Sequence, residues 1–113
     1  MNYKIVTYPA FEREFKRLAK KYKSLKTDKL SLRDELMLNP MLGVDLGGGV
    51  RKVRMQITSK GKGKSGGARV ITMLIQRSED LNEVGLHYIF DKSELENITD
   101  KELSAILKKN GVI

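Results

Sequence analysis

Three runs of strand-forming residues follow one another between residues 51 and 90, and this order constrains the fold more than any other feature. Arg51 to Ile57 alternates apolar with polar side chains, which is the period of a strand with one buried face. Ala68 to Gln76 and Glu83 to Phe90 are rich in β-branched and aromatic residues. Polar residues 77 to 82 join the last two runs as a hairpin turn. Consecutive strands with short connections predict an antiparallel meander.

The first part of the chain predicts one strand followed by two helices. Tyr3 to Tyr8 alternates as a strand does, and Pro9 suits a helix start because its missing N–H is not needed there. Apolar residues then recur at steps of four and three, on one helix face: Phe11, Phe15, Leu18, Tyr22 and Leu25. Thr27 or Asp28 can cap a second helix that ends near Leu38. The two helices are expected to pack as a hairpin on one side of the sheet.

Two further segments complete the predicted organisation. Met41 to Gly49 ends in three glycines and is interpreted as an irregular connection. The capping box Thr99-Asp100-Lys101-Glu102 predicts a last helix from about Asp100 to Lys109. With 113 residues and no evident linker, we expect a single domain, residues 1–113, of the α+β class.

Residue counts exclude several kinds of site. The chain has no cysteine and one histidine, His87, so disulfides, thiolate metal sites and histidine-based metal sites are not expected. The N-terminus lacks the apolar run of a signal peptide, and no stretch is long and apolar enough to span a bilayer. A cytoplasmic protein that needs neither metal nor cofactor is the expectation.

The net charge of +8 is concentrated in one third of the chain. Residues 46 to 78 contain no Asp or Glu and eight basic residues, while the other 14 basic residues are matched by 14 acidic ones. Such a local excess is typical of a surface that binds a polyanion, and nucleic acid is the leading partner. A solvated charge run is the alternative.

Lys52 and Arg54 are two residues apart on one predicted strand, so they project from the same face, and Arg69 can lie beside them on the next strand. Like charges side by side destabilise a sheet, whereas a phosphate between them would supply the opposite charge. Exposed strand charges without a ligand remain the alternative.

A basic glycine-rich loop, residues 59 to 67, joins the first two strands of the meander. Its lysines, together with Arg51, are expected to hold RNA: Lys60, Lys62 and Lys64. The loop lacks the spacing of a P-loop and does not lead into a helix. A flexible hairpin with incidental lysines is the other interpretation.

The cluster also suits metal-free RNA cleavage, in which the 2′-oxygen attacks the adjacent phosphate and the added negative charge must be stabilised. The proton-transfer groups are not fixed by spacing. A lysine, His87, Asp91 or Glu94 is a candidate, while Tyr88 is expected to be a core residue.

Two motifs show a family resemblance. The first is Gly49-Val50-Arg51-Lys52-Val53-Arg54, and the second runs from Lys60 to Ile71 as KGKGKSGGARVI. With Glu35 to Pro40 and Phe90 to Glu94, they resemble the HigB-like branch of the RelE/ParE toxin superfamily. The resemblance extends to about Asn97.

This resemblance implies the RelE-like fold and a toxin of a type II toxin–antitoxin system. Such a toxin enters the ribosomal A site, cuts messenger RNA without metal and is neutralised by a cognate antitoxin, expected here to be a helix-turn-helix protein. The family's basic residues on the central strands correspond to Lys52, Arg54 and Arg69, and Lys92 resembles the basic residue after the final strand. Many relatives have a catalytic aromatic residue or histidine near the C-terminal end, but this chain has no Tyr or His after Tyr88.

Two other functions stay open. One is a poison of DNA gyrase, as in the ParE branch, although the basic central strands favour RNA. The other is a non-catalytic RNA-binding module, against which the scarcity of stacking aromatic residues near the basic loop counts.

Overall fold

The computed structural model describes residues 2–113, with side chains from Tyr3 onward. Its strands and helices follow one another along the chain in this order: β1 (Asn2–Thr7), α1 (Pro9–Lys21), α2 (Leu25–Leu38), β2 (Val44–Gly47), β3 (Val50–Met55), β4 (Ala68–Gln76), β5 (Leu81–Asp91) and α3 (Asp100–Lys109). This arrangement confirms the α+β class. None of the helices within residues 2–113 is long and apolar enough to cross a membrane.

The strands form one five-stranded sheet in the order β1-β5-β4-β3-β2. β3, β4 and β5 are the predicted antiparallel meander, whereas β1 runs parallel to β5 and makes the sheet mixed. Between the pairs Ile71–Tyr88 and Thr72–Leu86 the register shifts by one residue, so that His87 lies in a β-bulge.

Apolar residues on the two faces of the sheet form two separate clusters. On one face, the helical hairpin packs Phe11, Leu18 and Leu32 against residues that include Val53 and Ile89. On the other face, α3 covers a smaller cluster of Val50, Ile71, Phe90 and Leu107. Because neighbouring strand residues point to opposite faces, this second face is also the one that carries Lys52, Arg54 and Arg69.

The boundary between the first two helices differs from the prediction. α1 ends at Lys21, and Leu25 is the first residue of α2 instead of the last on the face of α1. Asp28 does not cap α2; its buried carboxylate accepts hydrogen bonds from the backbone N–H of Thr58 at 3.0 Å and from Ser24 Oγ at 2.7 Å. The side chain therefore fastens α2 to the start of the glycine-rich loop.

The connection predicted to be irregular contains the edge strand β2. Val44 and Asp45 pair with Lys52 and Arg51 of β3, and all four residues of β2 are exposed. Gly43 precedes the strand at a φ of 96°, and a Cβ there would lie 2.5 Å from the carbonyl oxygen of Lys52. Glycine is required at this position because the backbone approaches β3 so closely.

The last helix begins and ends as predicted. Thr99 Oγ1 accepts the N–H of Glu102 at 3.1 Å, and Glu102 Oε1 accepts the N–H of Thr99 at 3.1 Å. This reciprocal capping box satisfies two donors that the helix start would otherwise leave unpaired, and such a cap contributes about 1 kcal/mol.

Candidate active site

Arg54 and Arg69 are direct cross-strand neighbours on β3 and β4, and Lys52 lies one step further along the same face, opposite Ile71. The structure therefore brings together the three basic residues that the strand pattern placed side by side. Directly opposed like charges destabilise a strand pair, so the arrangement costs stability unless an anion lies between the cations.

A cavity of about 470 Å³ opens over these cations. Lys92, which follows β5, joins them in its wall. The full lining consists of Val44, Lys52, Arg54, Arg69, Lys92, Glu96 and Asn97. The volume is in the range of small-molecule sites, so it can receive a phosphate with part of its nucleotide.

Arg69 is the deepest cation of the cavity, with 6% of its surface exposed. Its guanidinium donates to the carbonyl oxygens of Lys64, Ser65 and Ala68 at 3.1 to 3.2 Å. Burial, and then the charge of Arg54, lower the pKa of Arg69. Arg69 makes no ion pair within the described chain. An anion bound in the cavity would therefore meet a fixed and uncompensated positive charge.

Two contacts fix the segment after β5 against the rest of the cavity. Lys52 Nζ donates to Asn97 Oδ1 at 3.0 Å, and the backbone N–H of Lys92 donates to the carbonyl of Gly67 at 3.1 Å. The wall that carries Lys92 is therefore tied directly to the end of the glycine-rich loop.

The prediction that Lys60 holds RNA does not fit its position. Lys60 Nζ forms an ion pair with Asp91 at 2.8 Å, and the side-chain exposures are 9% for Lys60 and 0% for Asp91. Asp91 also accepts hydrogen bonds from Tyr22 and Ser93. Burial raises the pKa of Asp91, but the hydrogen bonds from Lys60, Tyr22 and Ser93 outweigh it and hold that pKa well below its usual range. Asp91 is thus unsuited to proton transfer.

The other two loop lysines differ from each other. Lys64 Nζ lies 2.9 Å from Glu35 Oε2 in a partly exposed ion pair, which joins the loop to α2. Lys62 is exposed and has no ion-pair partner among residues 2–113. Of the three loop lysines, Lys62 is therefore the one whose charge is fully available to a nucleic acid.

Arg51 projects from the opposite face to Lys52 and does not line the cavity. Its Nη2 donates to the carbonyl of Gly43 at 3.1 Å, and its Nη1 lies 4.0 Å from Asp45. These contacts make Arg51 a connector between β2 and β3.

His87 also lies away from the cavity. Its fully buried ring stacks on Tyr8 with 4.1 Å between centroids, and Asn110 Nδ2 lies 3.0 Å from its Nδ1. Burial lowers the pKa of His87 to about 4, so the ring is neutral at physiological pH. Tyr88, predicted to be a core residue, is half-buried and packs against the cluster under α3.

Glu96 and Asn97 line the cavity although the sequence did not indicate them. They lie in the irregular segment between β5 and α3, where no periodic pattern shows which side chains point inward. The carboxylate that was considered, Glu94, instead meets Arg17 at 2.7 Å and Lys21 at 3.6 Å. No group of three or more His, Asp or Glu residues within residues 2–113 is arranged to bind a metal ion.

Comparison with protein families gives a match over residues 10–112, which is nearly the whole chain. The matching family is described as the RelE toxin of the RelE / RelB toxin–antitoxin system. The match includes both helices of the hairpin, the four strands from β2 to β5 and all the residues that line the cavity. The chain belongs to the RelE toxin family.

Proposed function

We propose that the protein cuts messenger RNA on the translating ribosome, with Lys52, Arg54, Arg69 and Lys92 as the residues that bind the reacting phosphate. As a RelE-family toxin it is one half of a toxin–antitoxin pair, and toxins of this family are generally endoribonucleases. The ribosome as the place of cleavage, the independence from metal and the four residue roles are the proposed part. Since messages are translated in the cytoplasm, the proposal locates the protein there.

The observation that supports this function best is the pair Arg54–Arg69 in the wall of the cavity. Two guanidinium groups oppose each other on neighbouring strands, and neither forms an ion pair with a carboxylate of the described chain. A phosphodiester would remove this repulsion, because arginine forks bind phosphate oxygens in pairs.

In the proposed reaction the 2′-oxygen of the nucleotide attacks the adjacent phosphorus while the bond from phosphorus to the 5′-oxygen breaks. The products are a 2′,3′-cyclic phosphate and a 5′-hydroxyl. Negative charge increases on the phosphoryl oxygens as the new bond forms. Cations fixed in advance stabilise that charge more than they stabilise the bound substrate, and this difference accelerates the reaction.

The antitoxin is proposed to cover this cavity with an acidic segment. Val44, in the cavity wall, is one of several exposed apolar side chains in the segment from the end of α2 to β2. The others are Met37, Leu38, Met41 and Leu46. A partner with carboxylates beside apolar residues would complement both surfaces. A helix-turn-helix protein stays the expected type of antitoxin.

The test is cleavage of a defined message in a purified translation system, with 5′ ends mapped by primer extension. We expect cuts in ribosome-bound message only when the toxin is present, and slow or no cleavage of naked RNA. The cuts should persist when a chelator that leaves the Mg²⁺ of the ribosome in place removes other metal ions. Intact message combined with inhibited supercoiling by DNA gyrase would contradict the proposal. RNA binding without any cleavage would contradict it as well.

A further inference from the structure

The proposed reaction requires a group that removes the proton of the 2′-hydroxyl. Three of the candidates that the sequence offered for this task lie outside the cavity. His87 is buried beside Tyr8 outside the cavity, Asp91 is saturated by Lys60, Tyr22 and Ser93, and Glu94 is paired with Arg17. None of the three lines the cavity.

One carboxylate does line it. Glu96 is exposed and lies in the same wall as Lys52, Lys92 and Arg54. It makes neither a hydrogen bond nor an ion pair in the described structure, whereas Asp91 and Glu94 have each of their oxygens engaged. Its oxygens are therefore free to accept a proton.

The backbone around Glu96 is well fixed. The N–H groups of Glu94 and Leu95 donate to the carbonyl of Asp91 at 2.9 and 3.0 Å, which makes a tight turn after β5. Leu95 and Ile98 pack against the apolar cluster under α3. Asn97 accepts the hydrogen bond from Lys52. Glu96 thus lies in a short segment whose neighbouring residues are anchored, and its side chain lines the cavity.

From these contacts we propose that Glu96 is the general base of the reaction, an assignment that rests on the ribonuclease function proposed above. Its carboxylate takes the proton of the 2′-hydroxyl as the bond from the 2′-oxygen to phosphorus forms. The bond from phosphorus to the 5′-oxygen breaks, and the leaving oxygen takes a proton from a lysine ammonium of the cavity, Lys52 or Lys92. Exchange with water afterwards removes the proton from Glu96 and restores the one on the lysine. A base in this position contributes roughly 100-fold or more to the rate.

The same carboxylate could instead serve only to offset the positive charge of the empty cavity, and the two roles predict opposite effects of Glu96→Gln. Glutamine keeps the shape and removes the negative charge and the basicity. If Glu96 is the base, cleavage slows although RNA binding is equal or tighter. If it only offsets charge, cleavage is unchanged or faster.

The test is single-turnover cleavage of ribosome-bound message at neutral pH by the wild type, Glu96→Gln and the matched control Glu94→Gln. We expect Glu96→Gln to be at least about 100-fold slower at neutral pH, with undiminished binding of the message. Glu94→Gln should stay within about threefold of the wild type, because exposed ion pairs contribute little.

Each other outcome is decisive. Cleavage by Glu96→Gln at the wild-type rate would overturn the base assignment and leave the ribonuclease function intact. An equal loss in both variants would also overturn it, because the effect would then belong to the segment and not to the carboxylate. Absence of cleavage by the wild type would overturn the ribonuclease function and the base assignment together.

Discussion

Arg69 has both a structural role and a place in the candidate site. Its guanidinium holds three carbonyl groups around the end of the glycine-rich loop while it also forms the floor of the cavity. Replacing Arg69 would therefore disturb the loop together with the charge. Lys52 and Arg54, which are more exposed, allow a cleaner test of charge.

The placement of Lys52 and Arg54 on one face was predictable, since strand alternation fixes it, and Arg69 could be expected beside them on the next strand. The position of His87 was not, because the β-bulge moves it out of the alternation. The buried ring of His87 contacts Tyr8 and Asn110, which are distant from it in the sequence.

His87 should make the stability of the protein depend on pH. Its pKa is about 4 in the folded protein and about 6.5 in an unfolded chain, so the unfolded state binds more protons between these values. The free energy of unfolding should therefore fall as the pH drops below 6.5, by about 2 kcal/mol between pH 7 and pH 5. Urea denaturation at the two pH values measures this change.

His87→Phe is the matched variant, because it keeps a ring for Tyr8 to stack on and cannot be protonated. Most of the difference in stability between pH 7 and pH 5 should disappear in this variant. A variant with the same pH dependence as the wild type would show that His87 is not its source.

At the level of elements, the glycine-rich loop is held in place at several points. Asp28 binds its start, Lys60 is paired with Asp91, Lys64 with Glu35, and Gly67 accepts a hydrogen bond from Lys92. The composition of the loop indicated either lysines that hold RNA or a flexible hairpin, since glycine and lysine are common in both. The structure shows instead a loop that is held by contacts between residues 29 to 31 positions apart, which involve Lys60, Lys64 and Asp28. No local sequence pattern reveals contacts over such a separation.

The edge strand β2 was missed for a related reason. All its residues are exposed, so burial leaves no alternating pattern in Val44 to Gly47. Gly47 at the end of the strand and the next two glycines, Gly48 and Gly49, have positive φ angles and lead into β3, and this turn was the available signal. Elements with a buried face, such as β4 and α3, were predicted with the bounds that the structure has.

The ion pair between Lys60 and Asp91 should contribute strongly to the order of the loop. Asp91→Ala leaves the Lys60 ammonium buried without a partner, and we expect a loss of about 3 to 5 kcal/mol in the free energy of unfolding. Lys60→Met should cost less, because Tyr22 and Ser93 still donate to Asp91. Chemical denaturation of both single variants and of the double variant gives the coupling. Independent, additive losses would contradict a direct interaction.

At the level of the whole molecule, only some of the excess basic residues between positions 46 and 78 lie together on one surface of the mixed sheet. Lys52, Arg54 and Arg69 meet Lys92 from beyond β5, but Arg51 and Lys60 are used in structural contacts. The sequence thus placed Lys52, Arg54 and Arg69 on one face, where the structure shows a common cavity. The roles of the basic residues around this cavity depend on tertiary contacts that the sequence pattern does not show. Membership of the HigB-like branch stays a prediction within the RelE family.

The measurement that tests the account most directly compares two double variants in the ribosome cleavage assay. Lys52→Ala/Arg54→Ala removes two cations from the cavity, and Lys16→Ala/Lys20→Ala removes two exposed cations from α1. Both variants lose the same net charge and should remain folded, as circular dichroism can show. We predict that the first loses cleavage by at least about 100-fold and that the second cleaves at nearly the wild-type rate. Wild-type cleavage by the cavity variant, or an equal loss in the α1 variant, would contradict the assignment of the reaction to this cavity.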